Sequence, residues 1–151
     1  MADEARSHIR RATPADVPAL VALREVVAGE GRWIGRELPL PGDFGERLAA
    51  SIDDPASATF VAEVDGVVVG DGGLHANGAR HGAALLDASV EWARARPEIH
   101  KVVLQVWPHN EAAISLYRRA GFVVEGYRHR HWRRADGSLW DVIEMGLLVD
   151  G

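Results

Sequence analysis

The sequence predicts an α/β protein with a mixed sheet, and three observations carry that prediction. Apolar runs of strand length alternate with segments whose apolar residues recur at helical spacing. Two apolar runs flank Asp65-Gly66, a strong short-range hairpin signal. An apolar strand over residues 100–106 leads directly into a capped helix that stops at a glycine. One parallel pair of strands around that helix, with hairpins elsewhere, is the expected arrangement. No linker or repeat divides the chain, so residues 1–151 are read as a single domain. A domain of that size buries roughly 68–70% of its unfolded surface and needs no staple.

The elements follow in order. Residues 9–12 form a short strand. Thr13 can cap the next helix, Pro14 suits its first position, and Asp16 places an anion in its first turn. Val17, Leu20, Val21, Arg24 and Val27 then recur on one face, and Gly29 and Gly31 end the helix. Residues 32–42 read as a loop containing Trp33, Ile34, Leu38 and Leu40. A second helix spans 43–52 and stops at Asp53-Asp54-Pro55. Strands over 59–64 and 67–70 make the hairpin, and a glycine-rich polar stretch follows to residue 82. The helix over 83–96 has Ala84, Leu85, Ala88 and Trp92 on one side and Pro97 beyond its end. The strand over 100–106 is apolar enough to be covered on both faces. A helix over 110–120, a strand over 122–132, a turn at Ala135-Asp136-Gly137 and a last antiparallel strand over 139–149 complete the chain.

Composition excludes several classes of function. There is no cysteine, hence no disulfide, no thiolate nucleophile and no cysteine-based zinc site. Hydrophobic residues at 47% and charged residues at 26% suit a globular chain rather than a disordered one. No apolar run approaches the ~20 residues of a membrane span. The charged N-terminus lacks the apolar stretch of a secretory signal, so a cytoplasmic protein without membrane partners is expected. A net charge of −5 argues against nucleic acid as a partner. Lys101 is the only lysine, which together with abundant Ala, Gly and Val points to a GC-rich bacterial genome.

The most specific string is residues 110–122. Asn110 can cap a helix, Ala113, Leu116, Tyr117 and Ala120 fall near one face, Gly121 permits a left-handed turn, and Phe122 can plug a core. By itself this describes a capped helix packed on a sheet. The pattern Asn-x-x-Ala-x-x-Leu-Tyr-x-x-x-Gly-Phe after an apolar strand also resembles the fourth-helix motif of the GNAT superfamily of N-acetyltransferases. The opening Ile-Arg-Arg-Ala-Thr-Pro-Ala-Asp, the hairpin around Asp65-Gly66 and the Ala-Ala-Leu-Leu helix resemble that family's other elements in the right order. The C-terminal part resembles the subset that acetylates small amines and protein N-termini.

The resemblance implies a GNAT-like acyl-CoA N-acyltransferase fold and an acetyl-CoA-dependent enzyme. Acetyl-CoA would be the co-substrate, and a small-molecule or peptide amine the acceptor. The strand ending at Val106 would supply one wall of the cofactor cleft. Arg80, His81, Gly82 and Ala83 would meet the pyrophosphate at a helix start, where backbone N–H groups and the dipole favour an anion. Asn110 would hydrogen-bond the pantetheine arm or the nearby chain, and Tyr117 would touch the cofactor and protonate the leaving thiolate. A homodimer, especially through the C-terminal strands, is compatible with this reading.

The sequence departs from the family pattern in one region. The family's pyrophosphate loop has two glycines before the third helix, whereas Asn77-Gly78-Ala79-Arg80-His81-Gly82 keeps only the last in register. The fourth strand, which forms the other cleft wall, is absent together with part of that loop. Either a segment of the natural chain is missing from this sequence, or the protein is a rearranged relative. The second possibility keeps open a non-catalytic acyl-CoA-binding or partner-binding module on the same fold.

Weaker signals remain. His75 and His109 could serve as general bases because imidazole titrates near neutrality. Glu30 and Glu37 lie in the loop that borders the acceptor in the family, and Trp33 could wall that pocket. Arg128, Arg130, Arg133 and Arg134, interleaved with His129 and His131, form a basic run on a predicted strand. Strand alternation would put Arg128, Arg130 and Trp132 on one side and His129, His131 and Arg133 on the other. The run suits an anionic acceptor or an acidic partner, or is simply a solvated hairpin. Two histidines with no third ligand make no metal site.

Overall fold

A computed structural model describes residues 7–32, 36–71 and 79–150. The chain forms two compact units, Met1–Ser89 and Val90–Gly151.

In the first unit, β1 (His8–Arg11) leads through a 3-10 turn at Pro14–Asp16 into α1 (Val17–Gly29). Then come α2 (Phe44–Asp53), β2 (Phe60–Val64) and β3 (Val67–Asp71). The strands make an antiparallel sheet in the order β1-β2-β3. Asp65 and Gly66 both adopt positive φ, 51° and 78°, as the predicted two-residue turn requires. Ala12, Leu20, Ile52 and Val61 form the core, with Val17, Leu48 and Val68 against it. Asp16 does more than favour the helix dipole. Its carboxylate accepts the Thr13 N–H at 2.8 Å and a bidentate pair of N–H bonds from Arg10, each 2.8 Å. Arg10 also donates through Nε to Glu63 at 2.9 Å, tying β1 to β2 and to the entry of α1. The arginine holds the Asp16 carboxyl well below the usual carboxylate range.

Helix α3 (Ala79–Arg94) begins four residues before the predicted start and ends two before the predicted end. Gly82 does not interrupt it, because one glycine inside a helix costs only about 1 kcal/mol relative to alanine. The glycine-rich stretch at residues 72–78, with His75 and the place of the missing fourth strand, lies outside the described residues. Among the described residues no strand stands between β3 and α3.

In the second unit, β4 (Lys101–Val106), α4 (Glu111–Arg119), β5 (Val123–Arg133) and β6 (Leu139–Leu148) follow α3. The strand order is β4-β6-β5, with both pairings antiparallel. The expected parallel pair therefore does not form. The short turn folds β6 back on β5, and the other edge of β6 then takes β4, from Lys101↔Leu148 to Val106↔Ile143. Nor is β4 covered on both faces. Leu104 and Val106 are buried, while Val103 is 51% exposed and Gln105 is exposed. Gln105 marks that open face in the sequence. No helix among the described residues is long and apolar enough to cross a membrane.

Candidate active site

The residue types singled out in the sequence fall into two groups, one in each unit. Val106, His109, Asn110 and Tyr117 belong to the second unit. Val106 ends β4 and is buried. Asn110 is the N-cap of α4, its side-chain oxygen accepting the Ala113 N–H at 3.2 Å. That bond occupies one orphan donor of the helix and fixes the chain where it leaves β4. The helix stops as its sequence indicates: Gly121 has φ of 97°, and Phe122 is 2% exposed.

Tyr117 is 4% exposed, and its ring centroid lies 5.9 Å from that of Phe122. Burial pushes its phenol up to about 12, because the phenolate would lose its hydration. At neutral pH the group is a protonated donor in an apolar setting. His109 is exposed in the turn before α4, its ring edge-on to Trp140 at 4.9 Å.

In the first unit, Glu30 is exposed at the C-terminal end of α1. An acid there faces the negative end of the helix dipole, a placement that adds nothing to helix stability. Glu37 is half-buried in the following loop, while Trp33 lies outside the described residues. Arg80, His81, Gly82 and Ala83 lie within the first turns of α3, not in a loop ahead of it. The earlier start makes the N–H groups of residues 79–82 the four that the helix leaves unpaired. Gly82 is buried and Ala83 exposed.

The basic run does not alternate as expected. Between Arg128↔Val142 and Trp132↔Trp140, residues 129–131 stand opposite Asp141 alone. Arg130 takes φ of 51° in this bulge. The Asp141 carboxylate pins it, accepting the Arg130 N–H at 2.7 Å and the Tyr127 hydroxyl at 2.9 Å. Arg128 pairs with Glu144 at 2.9 Å. Arg134 is not solvated: it is 5% exposed, its guanidinium 4.5 Å above the Trp140 ring. Among the described residues no group of three or more metal-ligating side chains is placed to hold an ion.

Two features escape the sequence reading. The Trp107 ring meets Trp140 at 5.3 Å and Trp132 at 6.3 Å, both edge-on, making an aromatic cluster with Arg134. The cross-strand register of Trp132 and Trp140 is the signal, visible only once the bulge is counted. The other is a buried pair, Arg24 Nη2 to Asp71 Oδ2 at 2.6 Å, joining α1 to the end of β3. A cation at core spacing on α1 was its trace in the sequence.

Comparison with known proteins bears on this arrangement. The sequence model described as the acetyltransferase (GNAT) family matches residues 75–122, from ahead of α3 to Phe122. A GNAT-family acetyltransferase of Streptococcus pneumoniae is 27% identical, with 95% of this chain and 99% of that one covered and a TM-score of 0.78. The ribosomal-protein-alanine N-acetyltransferase of Brucella melitensis is 26% identical over 93% of this chain and 99% of that one, with a TM-score of 0.82. A putative acetyltransferase of Salmonella typhimurium, yncA, solved with acetyl-CoA, is 23% identical over 95% and 94%, with a TM-score of 0.80.

Proposed function

We propose that this chain, which belongs to the acetyltransferase (GNAT) family, moves an acetyl group from acetyl-CoA to a primary amine by direct attack. It is an acetyl-CoA-dependent N-acetyltransferase, with acetyl-CoA as co-substrate. The direct route, the acceptor and the residue roles are our reading, taken over residues 1–151 as one catalytic domain working in the cytoplasm.

The observation that carries the reading is the place of Tyr117: a phenol, protonated at neutral pH, buried on α4, the helix that follows β4. In the proposed step the neutral amine nitrogen attacks the thioester carbonyl, the C–S bond breaks, and the departing sulfur takes the Tyr117 proton. The amine's own proton passes to a base, for which His109 and Glu30 are the candidates. Val106 walls the cofactor, Asn110 holds the turn beside it, and the start of α3 meets the pyrophosphate, Arg80, His81 and Gly82 through their unpaired N–H groups and Ala83 as the residue that closes that first turn. The acceptor is a small molecule or a peptide terminus. Self-association through β5 fits the exposure of Val123, Val124 and Tyr127.

Tyr117→Phe tests the reading. CoA release in the presence of an amine should fall roughly 100-fold or more, as loss of a general acid does, while acetyl-CoA binding by calorimetry persists. Undiminished turnover would remove Tyr117 from the chemistry.

A further inference from the structure

We infer that the open face of the β4-β6-β5 sheet docks on a second copy of this chain, with β6 lying along the two-fold axis. The inference rests on the self-association reading above and moves the contact from the edge of β5 to the face of the sheet. All of its residues lie in the second unit. Strand alternation separates two faces. Leu104, Val106, Met145 and Leu147 are buried on one of them. The other carries Lys101, Val103 and Gln105 from β4, and Glu144, Gly146 and Leu148 from β6. Val103, Gly146 and Val123 stand side by side across the three strands. Val103 is 51% exposed, Val123 60% and Leu148 67%, which makes an apolar patch on one sheet face. At its middle the Lys101 ammonium meets the Glu125 carboxylate at 2.6 Å, over Gly146.

The layout of the patch selects its occupant. Its cation comes from β4 and its anion from β5, on opposite sides of β6. Val103 and Val123 likewise flank β6, one on each side. A two-fold axis in the plane of the face, parallel to β6, exchanges the two sides. It sets Lys101 against Glu125 of the partner subunit and Val103 against Val123 of the partner subunit, and it stacks Leu148 on its own copy. An axis running across the strands through the clasp would set lysine on lysine, and charge excludes it. An ammonium has three donors and a carboxylate about four acceptor positions, so each ion pair can dock on its image without opening. Glu144 also lies on β6 near the axis, and Arg128 of the same chain meets it at 2.9 Å. A patch of three apolar side chains and one ion pair falls at the small end of interfaces, below about 1,200 Å² in total, so the dimer should dissociate at micromolar concentration.

The test is sedimentation of the whole protein over about 1–300 µM, the range that brackets a small interface. The mass should rise towards that of a dimer with concentration. Leu148→Asp, which sets two like charges on the axis, should weaken the dimer by about 100-fold or more. Lys101→Glu puts two acids on the face, and Glu125→Lys puts two cations there. Each variant alone should be a monomer. Their equimolar mixture should recover the dimer, because each then meets its opposite. Circular dichroism checks that the variants are folded. Val124→Lys, at the edge of β5 and paired with Met145 of the other face, should leave the dimer intact. A dimer lost in Val124→Lys and kept in Leu148→Asp overturns the face and leaves the β5 edge. A mixture that stays monomeric overturns the exchange of charges, and the inference with it. A monomer at every concentration overturns self-association altogether. CoA release with an amine, read on the same samples, decides the acetyl-transfer reading separately.

Discussion

Lys101 Nζ lies 2.6 Å from Glu125 Oε2, and the two residues sit on strands that are not neighbours. Lys101 is on β4, Glu125 on β5, and β6 runs between them. The pair closes over Gly146, where an added Cβ would lie 2.6 Å from the same carboxylate oxygen. Glu125 is the extra residue where the β5 register shifts between Val124 and Gly126, which frees its side chain to lean across the sheet. The only lysine in the chain is thus a clasp across three strands.

Gly146→Ala should therefore act through the ion pair and not through backbone strain. The far end of Glu125 can swing away, so the loss is limited to a half-exposed salt bridge, about 0.5–1 kcal/mol. Denaturant unfolding of Gly146→Ala, Glu125→Gln and the double variant checks this. The double variant should be no less stable than Glu125→Gln alone, and full additivity of the two costs would separate Gly146 from the clasp.

Tyr117 makes stability depend on alkaline pH. Its folded value is about 12 against an unfolded value near 10. Below pH 10 both states keep the proton and the contribution is constant. Above it the unfolded state ionises while the native state holds its proton, so the native state binds more protons and stability falls as pH rises. The loss should reach about 2–3 kcal/mol once the pH passes 12. Urea midpoints from pH 9 to 12 should fall in the native protein and fall less in Tyr117→Phe. Parallel curves for the two would mean that burial of the phenol does not set the slope.

Asp141 is expected to control the shape of the hairpin. Its two oxygens hold the Arg130 N–H and the Tyr127 hydroxyl, and Arg130 sits at a φ that L residues adopt reluctantly. Asp141→Ala should speed amide exchange at Arg130 by roughly tenfold, the value of one hydrogen bond. The carboxyl is held below its usual range, chiefly by the Arg130 N–H, so the clasp is complete above the ordinary carboxylate range and is lost as pH falls through the depressed value. Exchange at Arg130 that ignores both the substitution and acid would show that the bulge is held by other means.

These side-chain clasps mark the limit of what was legible in the sequence. Local chemistry was readable: the Thr13-Pro14 entry to α1, the Asp65-Gly66 turn, the Asn110 cap and the Gly121 stop all stand where residue type placed them. The partners of β4 were not, because strand order depends on which edge β6 offers, and no local pattern encodes that. The start of α3 was misplaced because Gly82 resembles a boundary yet is tolerated inside the helix. Tyr117 could be named because its helix has a specific string. Trp107, Trp132, Trp140 and Arg134 could not be grouped, because a bulge of unforeseen size sets which side chains share a face.

The Arg24–Asp71 pair gives the largest expected effect on stability. Asp71 is 2% exposed and accepts two N–H bonds from Arg24, at 3.0 and 2.6 Å. Desolvating both ions offsets much of their attraction, so the pair contributes little net stability when intact. Removing one partner is different, since it leaves a charge in the interior without its counter-ion. Asp71→Ala should therefore cost about 3–5 kcal/mol, whereas Arg24→Met with Asp71→Leu should cost far less because no buried ion remains. Thermal unfolding of the two variants decides the matter. A double variant as unstable as Asp71→Ala would show that the carboxylate is needed for itself, as an anchor for the end of β3, and not merely as the answer to Arg24.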